Sequence, residues 1–240
     1  MTRQIDPRTG IRNAHGQSSR RRRPLWWILA AVVALVILVV VAVAVFIKQP
    51  APPPLLLPPG AAAAPVGPAS GTWQVAAGSV AGFRIPDTAL GLSNEVVGRT
   101  NSVTGAIVIV GDQVTRATLR IGLASIKVSG KTQPQLARSL GTRQFPAATF
   151  TLTRPVLLGH AFASGATIKV TATGELTMHG ASHLVTVRIS GRRDGRVLQA
   201  AGSIPVPFAE WGIRGPAGSG FLGSLASHGV AEFLLTLHRH

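Results

Sequence analysis

Residues 168–190 read IKVTATGELTMHGASHLVTVRIS, and their alternation decides the fold. Ile168, Val170, Ala172, Gly174, Leu176 and Met178 share one parity, while Lys169, Thr171, Thr173, Glu175, Thr177 and His179 share the other. A period of two is that of a half-buried β-strand. After His179-Gly180-Ala181-Ser182 the alternation resumes, with Val185, Val187 and Ile189 set against Leu184, Thr186, Arg188 and Ser190. The stretch therefore predicts a strand, a tight turn and a second strand. At roughly 3.4 Å per residue, a first strand of about eleven residues spans about 37 Å. That exceeds what a compact core needs and predicts an elongated sheet able to wrap something long.

The same short alternating runs extend outward from this hairpin. Trp73 and Val75 come first, then Ala81, Phe83 and Ile85 before Pro86-Asp87, then a more uniformly apolar run at 103–110 that ends in the turn Gly111-Asp112. Thr115, Ala117, Leu119, Ile121 and Leu123 alternate against Arg116, Thr118 and Arg120. Phe150 and Leu152 precede the hairpin; Leu198, Ala200, Ile204 and Val206 follow it, and Ala231, Phe233, Leu235 and Leu237 close the set. About eight or nine strands in roughly 170 residues predict one antiparallel barrel or sandwich. Only residues 134–140 suit a helix, with proline in the first turn, and its length fits a plug or corner. Gly82, Gly174 and Gly202 fall inside strands, where a closed barrel bends or where backbone comes close to a ligand.

The chain before this region is organised differently. Residues 1–24 are polar, carry four consecutive arginines just before Pro24 and show no apolar periodicity, as expected of a disordered basic cytoplasmic tail. Residues 25–47 carry no charge and would make about 35 Å of helix at 1.5 Å per residue, enough to span a bilayer. Trp26 and Trp27 sit at one interface, and the arginines in front put the N-terminus in the cytoplasm. An uncleaved signal anchor is expected rather than a signal peptide, because the apolar run exceeds the usual ~7–15 residues. Residues 48–70 are rich in proline and alanine and read as a linker, extended where polyproline II prevails. Residues 71–240 form the expected barrel domain.

Composition removes several function classes. The chain of 240 residues has no cysteine, which excludes disulfides, thiolate metal sites and cysteine nucleophiles. A formal net charge of +16 invites nucleic acid, yet seven arginines and one aspartate precede Pro24. With no tyrosine, 5% aromatics and an expected position outside the cytoplasm, the folded part is not expected to bind nucleic acid. Its remaining arginines, among them Arg116, Arg120, Arg188, Arg192, Arg193 and Arg196, sit on polar parities and turns. They form either a solvated face or one that attracts anionic headgroups or acidic wall polymers. No G-x-S-x-G, P-loop or H-E-x-x-H is present, and eight acidic residues offer little for acid–base chemistry. His179 and His183 are four apart, but across a turn rather than along a helix, so no zinc site is expected.

Several segments together resemble the YceI-like family of lipid- or polyisoprenoid-binding proteins, across nearly all of residues 71–240. They are Trp73 with Ser79-Val80-Ala81-Gly82-Phe83; Val97-Gly98-Arg99 and Gly105-Ala106-Ile107; Ala124-Ser125-Ile126; Leu136-Ala137-Arg138-Ser139; Phe145-Pro146-Ala147-Ala148-Thr149-Phe150; Gly174-Glu175-Leu176-Thr177-Met178-His179-Gly180; and Trp211-Gly212-Ile213. The last three are the most specific. The resemblance implies an all-β, elongated, antiparallel eight-stranded lipocalin-like barrel, here preceded by one transmembrane α-helix. Its tunnel would hold a long isoprenoid tail, so binding or carriage is implied rather than turnover. The chain departs from the family at Gln133 to Gln135, where aspartates are common, and at Pro205 and Pro207, which are expected to thin the ladder near Trp211. Residues 215–227, rich in glycine, alanine and serine, read as a mobile flap.

Phe83, Ile107, Phe150, Leu176, Met178 and Trp211 are the expected ligand-binding residues; no catalytic or metal residue is expected. The expected function is that of a bacterial single-pass membrane protein with an extracytoplasmic barrel that sequesters or carries a polyisoprenoid, an isoprenoid quinone or a similar lipid. That lipid would be a ligand, with no other cofactor. The alternative is an anchored interaction or stress-response module whose barrel is filled by its own side chains and whose basic face binds a protein or an acidic wall polymer.

Overall fold

The computed structural model describes residues 33–38, 51–59, 63–89, 92–213, 223–225 and 227–240. The chain divides into two units, Met1–Gln49 and Pro50–His240. In the first, residues 33–38 are helical with exposed side chains. The rest of the expected span at 25–47 and the basic tail lie outside the described residues. Among the described residues no helix is long and apolar enough to cross a membrane.

The second unit is built of strands. In chain order they are β1 (Gly71–Val75), β2 (Val80–Ala89), β3 (Leu92–Thr100), β4 (Val103–Val110), β5 (Gln113–Gly122), β6 (Lys127–Val128), β7 (Ala147–Leu152), β8 (Val156–Leu157), β9 (Ile168–Met178), β10 (Ala181–Asp194), β11 (Val197–Pro207), β12 (Gly223–Leu225) and β13 (His228–Arg239). The hairpin β9–β10 forms as its alternation predicts, with Met178 opposite Ala181 and eleven paired positions. Its two-residue loop has positive φ at both His179 and Gly180, the geometry whose twist matches that of paired strands.

Eight strands close a ring in the order β1-β4-β5-β7-β9-β10-β11-β13, with β13 pairing back to β1, and every pairing is antiparallel. Closure removes the sheet edges. β13 is shared: residues 237–239 pair with β1 and residues 230–234 with β2. Where the chain steps from β1 to β2, the hydroxyl of Ser79 fills the gap in the ladder. It accepts the Thr236 N–H at 3.0 Å and donates to the Thr236 carbonyl at 3.1 Å. From β2 an arm leaves the ring, formed by β2, β3 and the two-residue β6, with β12 pairing to the far end of β2.

The alternation hides two features of this arm. β3 escapes a period-two pattern because one inward position is Gly98 and an outward one is Val97. β2 continues through Pro86, opposite Glu95, rather than ending before it. Among the described residues its other edge has no ladder partner just there, since the β13 pairing stops at Arg84 and the β12 pairing starts at Asp87. Pro205 and Pro207 are likewise absorbed. β11 pairs with β13 as far as Pro207, while its pairing with β10 ends at Ser203, so the thinning falls on one side only. Of the expected flap at 215–227, Gly223–Leu225 pairs with β2 and most of the remainder lies outside the described residues.

Two short helices flank the barrel. Pro134–Ser139 is the expected one, with Pro134 in its first turn, and Leu136 and Leu140 pack on the core. His160–Ala163 gives no sequence signal; it buries Phe162 at the opposite end of the lumen.

The proline- and alanine-rich stretch is bonded to the barrel at several of its described residues. The Ala63 N–H donates to Asp194 Oδ1 at 2.8 Å, and Val66 and Gly195 bond through their backbones at 2.8 Å. Arg193, 2% exposed, donates to the carbonyls of Val66 and Gly67 at 3.1 and 2.6 Å. Proline leaves carbonyls with no partner of their own, and the barrel supplies donors for them.

Candidate functional site

Inward-facing residues of the ring and of the arm enclose a cavity of about 700 Å³. That size is within the ~300–1,000 Å³ of small-molecule sites. Its wall is apolar along its length, running from Leu123, Ile126, Leu176, Val206 and Phe208 at one end to Val103, Phe162, Leu198, Leu235 and Leu237 at the other. The side-chain polar groups on the wall are few. Gln133, Gln135 and Ser139 cluster at the helix Pro134–Ser139, and Glu232 belongs to the outer-face ion pairs with Arg84 and Arg99.

The lumen stays hollow because aromatic rings are turned onto the wall. The ring of Phe150 lies against Gly174, where a Cβ would stand 2.3 Å from its Cζ. Phe233 lies against Gly202 in the same way, at 2.6 Å. Each glycine takes a ring that would otherwise project into the cavity.

Both ends are capped. At one, the turn Phe208–Trp211 buries Trp211 at 3% exposure. Two histidines of the hairpin hold this turn: His179 Nδ1 bonds the Trp211 carbonyl and His183 Nε2 the Glu210 carbonyl, each at 2.9 Å. The His183 ring also meets the Trp211 ring edge-on at 4.6 Å. At the other end, Phe162 and Trp73 fill the floor, and Trp73 Nε1 donates to the Ala69 carbonyl at 2.8 Å. Arg193 reaches the Ala163 carbonyl at 3.4 Å as well as the strap carbonyls. Burial, with Arg239 nearby, pushes its pKa below the usual arginine value.

Of the six residues expected at the tunnel, Phe83, Ile107, Phe150, Leu176 and Met178 line the cavity. Trp211 does not; it packs behind the wall in the cap, because its carbonyl and ring are both engaged by the hairpin histidines. His179 and His183, which the sequence places across the hairpin turn with no role assigned, prove to be the clamps of that cap. No group of metal-ligating side chains gathers among the described residues.

A match to the YceI-like domain covers residues 73–230. The chain belongs to the YceI-like family. No curated protein matches it. Among solved structures, a polyisoprenoid binding domain from Saccharophagus degradans, implicated in plant cell wall breakdown, is similar with a TM-score of 0.54 and 16% identity. The similarity covers 71% of this chain and 99% of that one. Burkholderia cenocepacia BcnA gives a TM-score of 0.49 at 15% identity, over 64% of this chain and 95% of its own. At such identity the first likeness speaks for the fold alone.

Proposed function

We propose that the protein binds a long-chain isoprenoid, such as a polyisoprenoid or an isoprenoid quinone, in its barrel and sequesters or carries it without chemical turnover. The observation that carries this reading is the cavity of about 700 Å³ with an apolar wall from cap to cap. Each methylene taken from water into such a lumen contributes about 0.8 kcal/mol, so a long tail needs few polar contacts. Phe83, Ile107, Phe150, Leu176 and Met178 are the contacts proposed for it. The YceI-like family is one of binding proteins, and the Saccharophagus degradans neighbour is a polyisoprenoid binding domain. A barrel filled by its own side chains, the alternative, accords poorly with rings laid onto glycines.

The uncharged run at 25–47 and the arginines before it support a single-pass anchor, with an N-terminus in the cytoplasm and the barrel outside it.

The test is mass spectrometry of an organic extract from residues 50–240, secreted with an export signal and purified without detergent. A stoichiometric isoprenoid is expected. An empty extract, followed by failure to take up a panel of prenyl lipids, would sink the carrier and favour the interaction module.

A further inference from the structure

The outer face of β2, β3 and β13 carries a charged cluster that the cavity does not use. Glu232 alternates with the cavity-lining Ala231 and Phe233 and so belongs to the outward parity of β13, yet it is only 5% exposed. Its Oε1 lies 2.5 Å from Arg99 Nη2 on β3 and 3.5 Å from Arg84 Nη2 on β2. Its Oε2 accepts the N–H of Leu55 at 3.0 Å. The same two guanidiniums reach onward to the proline run, Arg84 to the Pro52 carbonyl at 2.6 Å and Arg99 to the Pro53 carbonyl at 3.2 Å. Arg84 also pairs with Glu95.

The segment and the cluster fit each other chemically. Pro52, Pro53 and Pro54 offer carbonyls and no N–H, which suits guanidinium donors. The first N–H after the run is that of Leu55, and it falls on the carboxylate. One carboxylate thus ties three strands to a segment 177 positions away in the chain.

The tie falls on the part of the cavity wall that stands outside the ring. The β2–β3 arm lies outside the closed ring. β2 is held to β13 over five pairs, and the far edge of β3 by only two pairs to β6. Yet Phe83, Ile85 and Val96 of this arm line the cavity. Shielding from water strengthens the attraction within the cluster, and the segment's own hydrogen bonds to Glu232, Arg84 and Arg99 offset the desolvation that shielding costs.

We infer that residues 51–57 are a clasp: docked on Glu232, Arg84 and Arg99 they hold the β2–β3 arm shut over the cavity, and their release opens that wall. The clasp goes beyond lipid binding, and its motion can be followed with no ligand present.

The experiment is amide hydrogen exchange read by mass spectrometry on the full chain, on Leu55→Pro and on a deletion of residues 51–57. Leu55→Pro removes the segment's backbone N–H donor to Glu232 and leaves charge and length unchanged. Exchange in residues 80–100 is expected to quicken at least tenfold in both variants, with residues 168–190 unaffected. Entry of the apolar fluorophore N-phenyl-1-naphthylamine should quicken with it. Unchanged exchange at 80–100 in both variants would overturn the clasp, as would equal quickening throughout the barrel, which would mark general loss of stability. Failure of the protein to hold any prenyl lipid, with the exchange result intact, would count against the proposed function alone.

Discussion

The ring of Phe150 rests on the backbone of Gly174, so close that a methyl group there would stand 2.3 Å from the ring's Cζ. The two are diagonal neighbours across β7 and β9, since Phe150 pairs with Leu176 and Leu152 with Gly174. Gly174→Val must push the ring into the lumen, and its Cβ also crowds the Thr151 carbonyl of β7, 2.6 Å away. We expect a loss of about 1–3 kcal/mol, typical of overpacking, together with weaker uptake of a prenyl lipid. Chemical denaturation and a lipid-binding titration check the two parts separately. An unchanged cavity and unchanged uptake would mean that the ring finds another seat.

Ser79 is 2% exposed, and its hydroxyl serves both the N–H and the carbonyl of Thr236. Ser79→Ala leaves the Thr236 N–H short of a partner where β13 passes from β1 to β2, while the Thr236 carbonyl keeps the Ala76 N–H at 2.8 Å. The expected cost is about 1–3 kcal/mol, read from the denaturation midpoint at constant slope. A change below about 0.5 kcal/mol would show that water replaces the hydroxyl.

Ala200 lines the cavity near its floor. Ala200→Phe adds a ring to open space rather than to a packed core, so the barrel should fold with lipid uptake reduced at least about tenfold, or about 1.4 kcal/mol. Circular dichroism and the extract from purified protein decide it. Full occupancy in this variant would place the lipid elsewhere.

Arg193 spans three carbonyls, from Val66, Gly67 and Ala163, in a buried position. A lysine is a point charge without the fork of donors, so Arg193→Lys should cost about 1–3 kcal/mol. Starting the chain at residue 71 removes the Val66 and Gly67 carbonyls together with the Ala63 and Leu55 N–H groups that bond Asp194 and Glu232. That truncation is expected to melt lower than residues 50–240 by several degrees. Equal melting temperatures would show that the strap adds nothing to the fold.

Much of the fold was legible because it is local. A period of two over residues 168–190 fixes which side chains share a face, and Gly180 beside His179 allows the positive φ of a two-residue turn. The strand β3 was not legible, because Gly98 stands where an apolar inward residue was needed and Val97 where a polar one was. The site was legible in part. Five expected residues, all on strands, line the cavity, whereas Trp211 lies in the 3-10 turn Phe208–Trp211, where strand parity has no meaning.

The sequence by itself determined the hairpin, the alternation of the long strands, the helix at Pro134 and the family, since each depends on residues close together in the chain. Only the tertiary structure decided that the lumen is hollow, that His179 and His183 clamp the cap, and that Glu232 is buried beneath the proline run. The physical reason is that burial and partnership are properties of the assembled chain. An outward glutamate looks solvated from its neighbours, and becomes a buried junction only when a segment 177 positions away closes over it.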